Sequence, residues 1–101
     1  MPCLQKDMRS QVLDIFQTSQ AADLLYKLNF DIRKYSKANF NFLMTDLNMF
    51  LHGLNKNYSI YDSFEQLNSI DIMCFFEPWL IRFLEKVLEK KQSNGKFLEK
   101  P

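Results

Sequence analysis

Hydrophobic side chains recur every three or four residues along nearly the whole chain, and this spacing most limits what the chain can fold into. Such a repeat keeps one face of a helix apolar, whereas a half-buried strand would alternate every second residue. Only two Gly and three Pro interrupt the 101 residues, and a β-sandwich or α/β fold of this size needs more turn residues. The sequence therefore predicts an all-α fold, a compact irregular bundle of four to five helices.

Three apolar stripes predict the helices of the N-terminal half. Thr18 and Ser19 are predicted N-caps of the second helix, because their hydroxyls can accept hydrogen bonds from free amides at a helix start. Ser36 and the pair Asn39 and Asn41 mark the next break. Gly53 is predicted to end the third helix in the left-handed conformation. The stripes consist of Met8, Val12, Ile15 and Phe16; of Ala21, Leu25, Leu28, Ile32 and Tyr35; and of Phe40, Leu43, Leu47, Phe50 and Leu54.

The second half of the chain contains a predicted turn and two predicted helices. The composition of residues 55–58 predicts a turn. Ser59, followed by an acidic residue three positions later, resembles a capping box and predicts a short helix over residues 60–67. The last helix covers about 70–91, with a kink or a fresh start near Glu77–Pro78, because proline suits the first turn of a helix but not its interior.

The amount of apolar surface fits one domain. Of the 101 residues, 47% are hydrophobic and 15% are aromatic, which is enough for a packed core in a domain of ordinary size. We therefore expect residues 1–92 to form a single helical domain. Residues 93–101 lack an apolar stripe and are expected to form a flexible C-terminal tail.

Cysteine content and the lack of long apolar runs indicate an intracellular protein, in the cytoplasm or nucleus. The N-terminal residues are polar and lack the apolar centre of a signal peptide. The longest apolar run, residues 72–76, is much shorter than the roughly 20 residues that cross a bilayer, so no membrane contact is expected. Cys3 and Cys74 are the two cysteines, whereas small secreted domains usually carry several disulfides. Both thiols are therefore expected to be reduced.

Residues with catalytic chemistry are few. His52 is the single histidine, and its position before the predicted end of a helix is typical of a side chain that caps free carbonyls. Cys74 lies within the apolar run 72–76, where the surroundings keep a thiol protonated and unreactive. The sequence therefore offers no catalytic residue, and the protein is not expected to be an enzyme.

Metal and cofactor sites are not expected either. Two Cys and one His cannot fill a tetrahedral site, and no CxxC or HxxxH spacing occurs. Glu85 and Glu89 share a helical face, but Lys86 and Lys90 alternate with them, which is typical of a solvated face. Two glycines in the whole chain leave no glycine-rich loop for a phosphate.

The charges nearly balance, with 13 Lys and Arg against 12 Asp and Glu, whereas a protein that binds nucleic acid usually has a clear basic excess. The distribution is uneven, since residues 60–81 contain four acidic residues and no basic one. From Arg82 onward six basic residues face three acidic ones. These charges either complement helix ends and each other, or form a basic tail that contacts an acidic partner.

Residues 70–88 carry the most unusual pattern. Phe75, Trp79 and Phe83 are spaced four apart on one helical face, and further apolar residues cover most of the circumference. A surface helix normally has one stripe about 100° wide. Either this helix is surrounded by its own domain, or part of it forms an interface with a partner or in a homodimer, where Phe, Trp and Met are enriched. The candidate partner-binding residues are Phe75, Phe76, Trp79, Leu80 and Phe83.

These patterns predict a non-catalytic protein–protein interaction module, such as an adaptor, an assembly subunit or a regulatory inhibitor. It would present an apolar aromatic helix to a partner or to a second copy of itself. The alternative is a small nucleic-acid-associated regulatory protein that uses the basic C-terminal segment. Strongly salt-dependent binding to nucleic acid would favour the alternative.

Overall fold

An apolar stripe on each helix builds the core between the helices. The computed structural model describes residues 6–61 and 78–99, with side chains over 11–61 and 78–93. Over these residues the chain has four α-helices and two 3₁₀ turns, which confirms the predicted all-α fold. The helices are α1 (Lys6–Gln17), α2 (Gln20–Lys27), α3 (Phe40–Tyr58) and α4 (Pro78–Glu99), and the 3₁₀ turns are Ile32–Lys34 and Lys37–Asn39.

Ser19 begins α2, as its position in the sequence predicts. Its backbone is extended, and its Oγ accepts a hydrogen bond from the N–H of Ala22 at 3.4 Å. The same hydroxyl donates to the carbonyl of Phe16 at 2.6 Å, so one side chain joins the end of α1 to the start of α2. Thr18 is not the cap, since its hydroxyl donates back to the carbonyl of Asp14 at 3.2 Å.

The second helix ends earlier than its apolar stripe predicts, and the prediction of one continuous helix over 21–35 is wrong. Asn29 has a φ of 72°, a left-handed conformation that Asn adopts more easily than most residues. The N–H groups of Asn29 and Phe30 donate to the carbonyls of Tyr26 and Leu25, at 2.9 and 2.8 Å. This pair of bonds is the Schellman arrangement that closes a helix.

The segment between α2 and α3 is held by Gln17, the last residue of α1. Its Nε2 donates to the carbonyls of Ile32 and Tyr35, at 3.0 and 2.8 Å. Asp31 starts the first 3₁₀ turn, because its Oδ1 accepts from the N–H of Arg33 at 2.9 Å. Ile32 is buried as its stripe predicts, although it lies in a 3₁₀ turn rather than in a helix.

The third helix is longer than predicted. Gly53 lies inside α3 without the positive φ of a helix-ending glycine, so the predicted cap there and the turn at 55–58 are wrong. Ser59 ends the helix with φ 52° and ψ 51°, and its N–H donates to the carbonyl of Asn55 at 2.7 Å. The Asn55 side chain also bonds both backbone groups of Tyr61 at 2.8 Å, which fixes the direction of the departing chain.

The prediction of a helix over residues 60–67 is wrong for its first two residues. Ser59 is a C-cap rather than an N-cap, and Ile60 and Tyr61 are not helical. The remaining residues of that prediction, 62–67, lie outside the described part of the chain.

The fourth helix closes the core, packing mainly on α2 and also on α3. Pro78 is the first residue of α4 that the structure describes, and residues 70–77 lie outside the described part, so the kink or fresh start near Glu77–Pro78 stays a prediction. The helical backbone continues through residues 93–99, and the flexibility of the tail 93–101 stays a prediction. The core side chains are Leu13, Phe16, Ala21, Ala22, Leu24, Leu25, Leu28, Ile32, Phe40, Leu43, Leu47, Leu51, Leu54, Leu80, Phe83, Leu84 and Val87.

Candidate interaction surfaces

The predicted partner-binding residues lie in two different environments. Leu80 and Phe83 are 1% and 0% exposed, so a partner could reach them only if the core of the chain opened. Trp79 is half-buried and packs at the edge of the core. Phe75 and Phe76 lie outside the described residues. Of the members that the structure describes, Trp79 is therefore the one that a partner could contact directly.

Phe83 is covered by the chain that leaves α3. The ring of Tyr61 stacks on Phe83 with 5.7 Å between centroids and an angle of 20° between the planes. The Nζ of Lys86 lies 5.7 Å from the centroid of the Tyr61 ring, within the range of a cation–π contact. This end of α4 is thus covered by an aromatic pair and a cation, in addition to its neighbouring helices.

The outward face of α4 is charged, with Arg82, Glu85, Lys86, Glu89 and Lys90 all exposed. Of two open, shallow clefts along it, one is lined by four of these side chains, and the other combines three of them with Ser59, Ile60, Gln92 and Ser93. The Nζ of Lys90 donates to the carbonyl of Tyr58 at 2.7 Å. A lysine in this position donates to a free carbonyl, and its positive charge compensates the negative end of the α3 dipole. Part of the basic C-terminal segment therefore has a structural partner.

An exposed apolar surface lies on α3, and it is not among the residues that the sequence singles out. Phe42 and Met49 are 68% and 69% exposed and lie seven residues apart, roughly opposite the buried stripe of the helix. Ile15 and Tyr26 are also exposed, but each lies on a different helix. The side of α3 that carries the pair is termed the outer face, and it comprises Phe42, Thr45, Met49, Gly53 and Lys56.

Gly53 leaves open space in the outer face. A Cβ added to this residue would have nothing within 4 Å among the described residues. Glycine inside a helix costs about 1 kcal/mol relative to alanine. No close approach within the described chain requires a glycine at this position. The outer face therefore has a notch one helical turn beyond Met49.

The edge of the outer face is attached to the 3₁₀ segment by aromatic contacts and one hydrogen bond. The Phe30 ring lies 6.0 Å from that of Tyr35 and 4.8 Å from that of Phe50, between centroids. The hydroxyl of Tyr35 donates to Oδ2 of Asp46 at 2.7 Å. Burial, followed by the hydrogen bond and the negative charge of Asp46, raises the pKa of Tyr35 to about 12. The Tyr35 hydroxyl thus stays protonated at neutral pH and continues to donate to Asp46.

The two ends of the outer face carry positive charge. Lys34 lies beside Phe42, since both line one shallow pocket with Tyr35, Asn39 and Asp46. Lys37 lies in the 3₁₀ turn that leads into α3, and the positive end of the α3 dipole lies there too. Exposed Lys56 occupies the other end of the face.

The other residues considered for catalysis or metal binding are one histidine, two glutamates and two cysteines. His52 lies in the middle of α3, six residues before Tyr58, so its predicted role as a helix-end cap is wrong. Glu85 and Glu89 are exposed between lysines, and Cys3 and Cys74 lie outside the described residues. Within 6–61 and 78–99, no group of three or more His, Cys, Asp or Glu side chains could hold a metal ion. Each helix in these ranges is too short or too polar to cross a bilayer.

Comparison of the chain with models of protein families, with curated proteins and with solved structures finds no match.

Proposed function

We propose that the chain is a non-catalytic protein-interaction module, an adaptor, assembly subunit or regulatory inhibitor, that binds its partner through apolar helical surfaces. One observation carries this proposal: Phe42 and Met49 are more than two-thirds exposed while the core beneath α3 is already filled. Single exposed apolar residues are normal on a protein surface. Two of them, spaced by two helical turns on one face, match the spacing of the apolar anchors through which an amphipathic helix binds its partner.

Trp79 supplies a second contact in this proposal. Tryptophan is enriched among the few interface residues that carry most of the binding free energy. Trp79 is half-buried at the edge of the core, so its ring is held in place by the chain before a partner arrives. A side chain held in this way loses less conformational entropy on binding than a mobile one.

The nucleic-acid alternative has less support from the described residues. Affinity for phosphates depends on an excess of cations over anions. On α4, Glu85 and Glu89 alternate with the basic residues, and Lys90 already donates to the carbonyl of Tyr58. Because the charges on α4 are mixed in this way, its open clefts offer few titratable groups that could converge on a substrate.

Photo-cross-linking in the native cell tests the proposal. A photoreactive amino acid is placed at Met49, at Trp79, or at exposed Lys91 on α4 as the control position. We expect discrete protein adducts from Met49 or Trp79 and none from Lys91. The adduct protein should then bind the purified chain in a reconstituted complex. Adducts with nucleic acid alone, or equal adducts from all three positions, would contradict an interaction module of this kind.

Trp79→Ala separates binding from folding at the second contact. If Trp79 contacts the partner, the variant binds the reconstituted partner with about 2 kcal/mol less free energy, the scale of a hot-spot residue. Its thermal midpoint is measured on the same preparation. A variant that melts far below the parent and shows no separate binding defect would remove Trp79 from the interface.

A further inference from the structure

We infer that the outer face of α3 binds an acidic amphipathic helix of another protein. This inference rests on the proposed function and specifies the chemistry of the partner. It depends on the spacing of two apolar side chains, on the space beside Gly53 and on the charges at the two ends of the face.

The apolar spacing matches a helix that lies along α3. Phe42 and Met49 are seven residues apart, which is about 10.5 Å along the axis at about 1.5 Å per residue. Helices that bind in this way use apolar residues at i, i+3, i+4 and i+7. A partner with two apolar residues separated by two turns would therefore contact both side chains at once.

The notch at Gly53 lets the partner approach closely. Nothing in the described chain lies within 4 Å of the place where a Cβ would be, so the described residues leave this space free. A glycine on one helix allows the backbone or a side chain of a second helix to come nearer than any other residue would. The notch continues the line of Phe42 and Met49 and extends the contact by one turn.

The charges select an acidic partner. Lys34 and Lys37 lie at the N-terminal end of the face, together with the positive end of the α3 dipole, and Lys56 lies at the other end. Asp46 at the edge already accepts the hydroxyl of Tyr35. A partner with Asp or Glu at both ends of its apolar stripe would complement these cations. The length from residue 40 to 56 corresponds to about 24 Å, or roughly 16 helical residues.

A second copy of the chain fits this face less well. Two-fold pairing of α3 helices in antiparallel orientation brings the N-terminal end of one against the C-terminal end of the other. Lys37 would then meet Lys56 of the second copy, and like charges across an interface oppose association. An acidic helix turns the same two ends into favourable contacts.

Peptide selection against the whole purified chain tests the inference. Three display libraries of 16-residue amphipathic helices share one randomised apolar stripe, and their flanking positions are Glu, Gln or Lys. We expect enrichment from the Glu library and none from the Lys library, because only the first complements the cations. Equal enrichment from all three libraries would overturn the charge argument.

Variants of the chain locate the site of the enriched peptide, with affinity measured by fluorescence anisotropy at several salt concentrations. Phe42→Ala and Met49→Ala should each weaken binding at least tenfold. Lys37→Glu and Lys56→Glu should weaken it and reduce its salt dependence. Gly53→Leu should block binding by filling the notch, with an unchanged or higher thermal midpoint that separates this loss from unfolding. Exposed Ile15→Ala and Lys91→Glu are the matched controls and should bind as the parent does.

The remaining outcomes distinguish this inference from the proposed function. Peptides that lose affinity on Trp79→Ala but not on Met49→Ala would keep the interaction module and overturn the α3 site. Concentration-dependent dimerisation that Met49→Glu abolishes would assign the face to a second copy. Failure of all three libraries, together with the absence of cross-links from Met49 and Trp79, would overturn both.

Discussion

Tyr35 and Asp46 form the hydrogen bond that ties the 3₁₀ segment to α3. The raised pKa of Tyr35, about 12 instead of 10.0, means that the folded state favours the neutral phenol. Stability from this group is therefore fully present below pH 10 and is lost as the pH rises from 10 to about 12. Tyr35→Phe should lower the free energy of unfolding by about 1 kcal/mol at neutral pH. Urea unfolding across the pH range measures this difference, which should shrink above pH 10.

Asp46→Asn is the matched control for Tyr35. An amide oxygen still accepts the hydroxyl but carries no charge, so the pKa of Tyr35 should fall from about 12 towards 10.0. Phenolate absorbance is measured against pH. The difference from the Tyr35→Phe variant isolates the titration of Tyr35. An unchanged pKa in Asp46→Asn would assign the increase to burial and to the hydrogen bond that Asn keeps, and none of it to the charge of Asp46.

Gly53→Ala should stabilise the chain. The residue lies inside α3, and an added Cβ would contact none of the described residues within 4 Å. The variant should therefore gain about 0.5–1 kcal/mol of helix propensity without a steric cost. The urea midpoint measures the gain, and helix content by circular dichroism should stay equal or rise. A lower midpoint would show that Gly53 is needed for packing inside the chain.

At single residues, side-chain chemistry predicts some helix ends and packing overrides it at others. Ser19 is a cap in both the sequence and the structure, because its hydroxyl reaches a free amide. Gly53 has the chemistry of a helix end, yet Leu54 is buried and Tyr58 packs against the core one turn later. That continuing stripe is the signal that extends α3 beyond Gly53. The left-handed Ser59 has no comparable signal, since serine has no strong preference for this conformation.

Among the helices that the structure describes, α2 is the shortest, with 8 residues, and helices of this length depend on caps and packing. Ser19→Ala removes the bond from Ala22 and the bond to the Phe16 carbonyl. It should lower the free energy of unfolding by about 1 kcal/mol, as for other N-caps. Thr18→Ala is the control, because Thr18 bonds only within the last turn of α1. Chemical denaturation of the two variants should rank Ser19→Ala as the less stable.

At the scale of whole elements, the sequence predicts which side chains are buried better than it predicts the backbone conformation. The stripe from Ala21 to Tyr35 correctly predicts that Leu28 and Ile32 are buried, but the chain reaches the core there through a 3₁₀ turn. Asn29 and Asp31, which favour turns, are the available signals for that break. The exposure of Phe42 and Met49 also follows from the sequence once the buried stripe of α3 is known. The burial of Phe83 does not follow, because it depends on which helices pack around α4.

For the molecule as a whole, Phe83 is one of the two phenylalanines that are completely buried among the described residues, so its truncation should be costly. It is completely buried on α4, the helix that packs mainly on α2, and Tyr61 stacks on it. Phe83→Ala should lower the free energy of unfolding by about 3–5 kcal/mol. Exposed Ile15→Ala should change it by about 0.5 kcal/mol or less. Thermal and urea unfolding measure both variants, and a small effect at Phe83 would mean that α4 contributes little to the core.

The packing of α2 on α4 has a consequence for the order in which the chain matures on the ribosome. Residues 20–27 leave the tunnel long before residues 78–93, their main packing partner. The part of the α2 surface that packs on α4 is therefore uncovered until residues 78–93 emerge, and chaperones that recognise exposed leucines can bind it during that time. Final burial of that surface has to wait until α4 has been synthesised.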